Sequence, residues 1–343
     1  MHGGFAFILA LTADGDHATR RVTETSTHTL EEAMKPDHDL FEHLRNATRQ
    51  FLAALFPLPA PKPGHFLQGE FANHAGARSY KLYVPGCYRG QSLPLVVMLH
   101  GCTQDPDDFA TGTRMNALAE ETRCFVVYPA QSADANQHRC WNWFNALDQQ
   151  RGQGEPSIIA GIASEVMSRY NIRRNEVYVA GLSAGGAMAA IVGALYPDLF
   201  CAVGVHSGLP FASARDLPSA LSAMRRGMQA EPIAGGGLPI IVFHGDQDST
   251  VHPRNGEQVM IQKLHGHGVL ENAAIDTGSV PDGHHYTRTI HRRSNGKPLG
   301  EHWLVHGAGH AWSGGSADGS YTDAKGPDAS REMLRFFKTC VTP

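Results

Sequence analysis

No apolar run in this 343-residue sequence approaches the roughly 18 residues needed to cross a bilayer, which excludes a helical membrane span. No block of Lys or Arg accompanies the formal charge of −4, so the electrostatic footprint of a nucleic-acid binder is missing. Protonation of the 20 His below about pH 6.5 would make the surface more positive. The six cysteines, Cys87, Cys102, Cys124, Cys140, Cys201 and Cys340, show neither C-x-x-C nor the paired spacing of a zinc site. Their plain reading is small buried apolar residues, while the even count also permits disulfides and with them an oxidising compartment. Neither an internal repeat nor a low-complexity segment is found beyond one proline-rich stretch. What is present, 42% hydrophobic and 18% charged residues, is ordinary for a soluble globular chain of one large or two ordinary domains. Neutral small-molecule or polymer substrates fit that balance.

The start, MHGGFAFILALTADGDHATRR, contains an apolar stretch of signal-peptide length, but no Lys or Arg precedes it and acidic residues follow at once. In residues 38–56, Leu40, Phe41, Leu44, Phe51, Leu52, Leu55 and Phe56 recur at spacings of three and four, which predicts an amphipathic helix. The alternating prolines of PLPAPKPG then enforce stiff polyproline II and place a boundary near Gly64. Residues 1–64 thus read as an N-terminal extension and 65–343 as the main domain. There, buried apolar runs (LPLVVMLHG, CFVVYP, VYVAG, CAVGVHSG, LPIIVFHGD) alternate with helical patterns (RMNALAEET, SIIAGIASEVMSRY, AGGAMAAIVGALY, NGEQVMIQKLHG). YTRTIHRR and EHWLVHG follow as strands and PDASREMLRFFKTC as a closing helix. Such alternation predicts an α/β fold with a mainly parallel sheet covered on both faces. The exposed apolar face of the N-terminal helix needs a cover, either this chain or its homodimer, or a hydrophobic granule surface.

With 37 Gly in the chain, a G-x-S-x-G match arises by chance about 0.2 times, so GLSAG (181–185) is weighed by its setting. It lies where a buried strand turns into a helix, the setting of a nucleophile elbow. Gly181 and Gly185 leave room for the sharp turn, and the helix behind Ser183 offers N–H groups to a developing oxyanion. A serine hydroxyl needs a base, and elbow enzymes carry the acid and then the histidine on later loops. FHGDQDSTVHP supplies Asp246 and Asp248. Asp248, third beyond Gly245, can turn back toward a histidine loop, whereas Asp246 reads as a turn former. HGAGHAWSGG supplies His310 in a glycine-rich loop, with His306 its rival at a strand end. HGCTQ (100–104) reads as the oxyanion loop, with the N–H of Cys102 and that of Ala184 as donors. RCWNWF (139–144) puts Cys140 on the same side, either bridged to Cys102 or, like it, a buried thiol. Trp141, Trp143 and Trp312 fall in loops beside these elements, where they line an apolar pocket or pack as lid and core. HGHG (265–268) and GHH (283–285) lack a completing carboxylate or Cys, so no metal and no cofactor is expected.

Taken together, LHGCTQDPDDFA, RCWNWF, GLSAGGAMA, HGDQDSTVHP and GAGHAWSGG resemble the esterase family of short-chain polyhydroxyalkanoate (polyhydroxybutyrate) depolymerases, which also holds feruloyl and acetylxylan esterases. The resemblance covers roughly residues 66 to 340. It implies an α/β-hydrolase fold with Ser183 as nucleophile, Asp248 as acid, His310 as base and Cys102 with Ala184 as oxyanion donors, in the type 1 order. The implied function is a serine esterase acting on poly- or oligo(3-hydroxybutyrate), the alternatives being a feruloyl or acetylxylan esterase, or a catalytically inactive granule- or carbohydrate-binding protein. Secretion goes with the family, a cytoplasmic place with the apolar start not being a signal peptide.

Overall fold

LPLVVML shows why the buried runs are strands. In an extended chain alternate residues face opposite sides, and here both sides are core. Leu95, Val97 and Leu99 join one apolar cluster with Ile159 and Met188, while Val96 and Met98 join the other with Phe336 and Phe337. All five strand residues are fully buried. A continuous apolar run is what a sheet covered on both faces demands.

The computed structural model describes residues 63–341 apart from 230, 234–236, 265–272 and 294. The helix expected over 38–56, most of the proline stretch and HGHG lie outside the described residues. β1 (His65–Asn73) and β2 (Gly76–Val84) form a hairpin, followed by β3 (Leu93–Leu99), α1 (Pro106–Thr113), α2 (Met115–Thr122) and β4 (Phe125–Pro129). Next come α3 (Gly154–Arg169), β5 (Ile172–Leu182), α4 (Ala184–Leu195), β6 (Ala202–His206), α5 (Leu217–Arg226), β7 (Ile240–Gly245) and α6 (Arg254–Leu264). β8 (Ala273–Ser279), β9 (His285–Arg292), β10 (Pro298–Val305), the short β11 (Trp312–Ser313) and β12 (Thr322–Asp323), and α7 (Ala329–Thr339) complete the described chain.

Ten strands make one sheet in the order β1-β2-β4-β3-β5-β6-β7-β10-β9-β8. The pairings from β4 through β10 are parallel, and the two outer pairings at each edge are antiparallel. The mainly parallel sheet is the one anticipated from the strand and helix patterns, and its arrangement is the α/β-hydrolase fold that the resemblance implied. The β1–β2 hairpin, β8, α1 and α5 are additions to the sequence reading. β1 and β8 are edge strands with mostly exposed or half-buried residues and lack the apolar signature of the centre. α1 is set by Asp105, whose side chain caps the N–H groups of Asp107 and Asp108, with Pro106 in the first turn. In the parallel strands the chain leaves the sheet at one edge, where the loops after β3, β5, β6, β7 and β10 meet.

Candidate active site

Ser183 sits between β5 and α4 with φ 57° and ψ −119°, a left-handed backbone that costs a non-glycine residue strain. The surroundings force this. A Cβ on Gly181 would overlap the Gly185 carbonyl, and one on Gly185 would overlap the carbonyls of Leu99 and His100, so both flanking glycines are required by close backbone approach. The strained residue is held by its own N–H, donated to the His206 carbonyl at 2.9 Å, and by its carbonyl, which accepts the Ala187 N–H at 2.9 Å. Among the described residues the Ser183 hydroxyl makes no hydrogen bond.

At the end of β7, Asp248 turns back as the spacing anticipated. Its Oδ2 lies 2.7 Å from His310 Nδ1, and its Oδ1 accepts the N–H groups of Thr250 at 2.9 Å and Val251 at 2.8 Å. Burial of this carboxyl pushes its pKa upward, but hydrogen bonds from His244 and His310, the His310 charge and the Val251 N–H outweigh it and hold the group far below the usual carboxylate range. The rival residues pair with each other. Asp246 Oδ2 lies 3.0 Å from His306 Nδ1 and its Oδ1 accepts the Gly307 N–H at 2.7 Å. Asp246 is thus more than a turn former, because it clamps the end of β7 to the end of β10.

The loop after β3 is tied at nearly every amide. Gly101 N–H donates to Gln104 Oε1 at 2.9 Å, Thr103 N–H to the His138 carbonyl at 2.7 Å and Gln104 N–H to the Gly101 carbonyl at 3.4 Å. Among the described residues the N–H groups of Cys102 and Ala184 have no such partner, which leaves these two donors for a ligand. His100 buttresses the loop from below, between the Gly101 carbonyl and the Gln131 N–H; burial lowers its pKa to about 4, so the ring is neutral.

A disulfide joins Cys102 to Cys140, resolving the alternative that the sequence left open. The Cys140 carbonyl accepts from Gln131, whose amide also reaches the buried Glu155. The loop after β3 is therefore anchored to a buried polar network through one covalent bond. Reducing that bond is expected to lower ester turnover several-fold without unfolding the chain, measured as kcat against thiol count before and after mild reduction. Unchanged kcat at full reduction would show that the bridge does not position Cys102.

Trp141, Trp143 and Trp312 are 0%, 4% and 1% exposed, so they pack as core and do not line an open pocket. Trp312 is wedged between Phe109 and His206, and its Nε1 donates to Ser330 Oγ at 3.0 Å. Large rings beside catalytic loops favour burial whenever the loops themselves fold onto the sheet.

Sequence reasoning missed His206. Its carbonyl holds Ser183, its Nε2 accepts the Ser313 N–H at 2.9 Å, and its ring stacks on Trp312 with centroids 5.0 Å apart. One residue thus ties the Ser183 turn to the loop that carries His310. Burial lowers its pKa to about 3, which keeps the ring neutral and Nε2 free to accept. The available signal was its position at the end of a parallel strand, and the twenty histidines of the chain obscured it. His284, from the GHH stretch, pairs with Asp323 at 2.8 Å.

The Esterase PHB depolymerase family model matches residues 78–281. Poly(3-hydroxyalkanoate) depolymerase C of Paucimonas lemoignei is 34% identical over 233 residues, 63% of this chain and 54% of that protein. A probable acetylxylan esterase A of Aspergillus fumigatus is 27% identical over 238 residues, 64% of this chain and 63% of that one. The chain spans about half the length of the depolymerase it matches. Among solved structures, an acetyl xylan esterase from Aspergillus awamori superposes with a TM-score of 0.62 at 19% identity, over 80% of this chain and 99% of that one, a likeness of fold. With the α/β-hydrolase sheet, the elbow at GLSAG and a family match over more than half its length, the chain belongs to the Esterase PHB depolymerase family.

Proposed function

We propose that this chain hydrolyses carboxylic esters of short hydroxyacids, poly- or oligo(3-hydroxybutyrate), through an acyl-enzyme on Ser183. The observation that carries the chemistry is a serine held at positive φ at the head of a helix in a chain that also pairs a half-buried His310 with the buried Asp248. His310 Nδ1–H donates to Asp248, so its Nε2 is bare and takes the Ser183 proton as Oγ attacks the ester carbonyl. The hydroxyl and ring close to hydrogen-bond distance when substrate binds, since apo geometry in such sites is often looser. The oxyanion receives the N–H groups of Cys102 and Ala184. His310 returns the proton to the leaving alkoxide, and water, activated by the same ring, cleaves the acyl-serine and frees the acid.

The similarity to the P. lemoignei depolymerase supports the hydroxyalkanoate substrate. A second reading, deacetylation of xylan, is supported by the likeness to the A. fumigatus protein over a similar span. Side-by-side product analysis on soluble hydroxybutyrate trimer, polyhydroxybutyrate film, acetylated xylan and methyl ferulate separates them. Release of 3-hydroxybutyrate at the highest kcat/KM is expected, and faster release of acetate or ferulate would overturn the substrate assignment. Absence of labelling by a fluorophosphonate would overturn the enzyme reading and favour an inactive binding protein.

A further inference from the structure

The strand register puts an unusual set of rings behind the acid. On β10, Gly300, His302 and Leu304 are alternate residues on one face; His302 is opposite Val242 on β7, and Leu304 is opposite His244. His244 and His302 are therefore diagonal neighbours, two residues out of step on adjacent strands. His291 on β9 is opposite Gly300, which extends the same diagonal by one more ring. α6 covers this face through Gly256, where a Cβ would stand 2.8 Å from His244 Nδ1 and 3.2 Å from His302 Nε2. Two ring nitrogens thus converge over one glycine. Neither has any hydrogen-bond partner among the described residues, the other ring included, although both atoms are buried.

The other nitrogen of His244 fixes its tautomer. Its Nε2 faces only acceptors, the Val251 carbonyl at 2.8 Å and Asp248 Oδ2 at 3.3 Å, so Nε2 carries the hydrogen. His244 is fully buried, and Asp248 Oδ2 is the same oxygen that holds His310. Its Nδ1, on the far side of the ring, is buried without a partner among the described residues. Burial lowers the His302 pKa to about 3, so the ring behind His244 brings no charge to the pair.

We propose that His244, held by the Val251 carbonyl, is a positioning residue for Asp248. The inference rests on the reading of Asp248 as the acid of the Ser183 site. The bond from His244 shares Oδ2 with His310, so it aims the carboxylate along the His310 ring plane and tempers the negative charge that the imidazole feels. Without it the carboxylate can rotate about its two Oδ1 bonds, and more charge falls on His310. The groups facing this pair are His206 from β6, His244 from β7, His302 from β10 with His291 behind it, and the neighbouring Asp246–His306 pair at the rim.

The test uses the full chain, p-nitrophenyl butyrate, and fluorophosphonate titration to count competent sites. His244→Leu is expected to lower kcat per titrated site about 10- to 100-fold with KM within about threefold. The acid limb of its kcat/KM profile is expected to move to higher pH, because a carboxylate relieved of one donor favours the protonated imidazole. His244→Gln, which keeps a donor near the Nε2 position, is expected to restore most of kcat and return the limb. Fewer titratable sites with parent-like kcat per site and an unmoved limb in His244→Leu would mean a purely structural histidine and overturn the proposal. Equal damage in His244→Gln and His244→Leu would overturn it too. If His244→Leu does not fold, His244→Asn decides, since its shorter amide stops short of the Nε2 position, and a parent-like kcat per site with an unmoved limb there overturns the proposal. Full activity in Ser183→Ala would instead overturn the underlying reading, whatever the His244 variants do.

Discussion

Replacing Ser183 with Ala is expected to lower turnover of p-nitrophenyl butyrate by at least about 10³-fold while leaving the thermal unfolding midpoint at or above that of the parent chain. The loss follows from removing the only atom that forms the acyl bond in the proposed mechanism. The fold survives because what holds the turn is backbone: Ser183 N–H on the His206 carbonyl, Ala187 N–H on the Ser183 carbonyl, and the approach of Gly181 and Gly185 to each other and to the end of β3. An Ala keeps all of these and the same positive φ. Any residual rate would come from the Cys102 and Ala184 N–H groups acting on an attacking water. Activity within tenfold of the parent would remove Ser183 from the mechanism, and circular dichroism would separate that result from misfolding.

Asp248→Asn is expected to cost about 10³- to 10⁴-fold in kcat/KM, and Asp246→Asn no more than about tenfold. The difference comes from hydrogen-bond polarity. In the parent, Asp248 Oδ1 accepts two backbone N–H groups and Oδ2 accepts from His310 and His244. An Asn must keep its oxygen on the two backbone donors, which turns its NH₂ toward both rings. His310 Nδ1 then has to accept, its hydrogen moves to Nε2, and the ring can no longer take the serine proton. Asp246 holds His306 and the Gly307 N–H, and not His310, so its change loosens the rim without altering the His310 tautomer. Because Asp248 stays ionised far below the ordinary carboxylate range, acid loss of activity between about pH 5 and 7 would not be its protonation. Equal losses in the two variants, measured on matched titrated sites, would mean the acid is misassigned.

The sequence by itself determined the alternation of buried strands and helices, because two covered faces require apolar residues at every position of a central strand. It also determined the sharp strand-to-helix turn, since the two glycines of GLSAG admit a turn that side chains would block, and the succession of Ser183, Asp248 and His310, each after a later strand. These are local properties: each is settled within a few residues of chain. The tertiary structure alone decided the rest. That Cys102 meets Cys140, that Asp246 takes His306 while Asp248 takes His310, and that three loop tryptophans are buried all depend on which loops meet above the sheet. The diagonal from His244 to His302 depends on the register of β7 against β10, strands some sixty residues apart. A shift of one residue would send one of the two rings to the opposite face, and nothing in the composition of either strand fixes that register apart from the packing of the whole sheet.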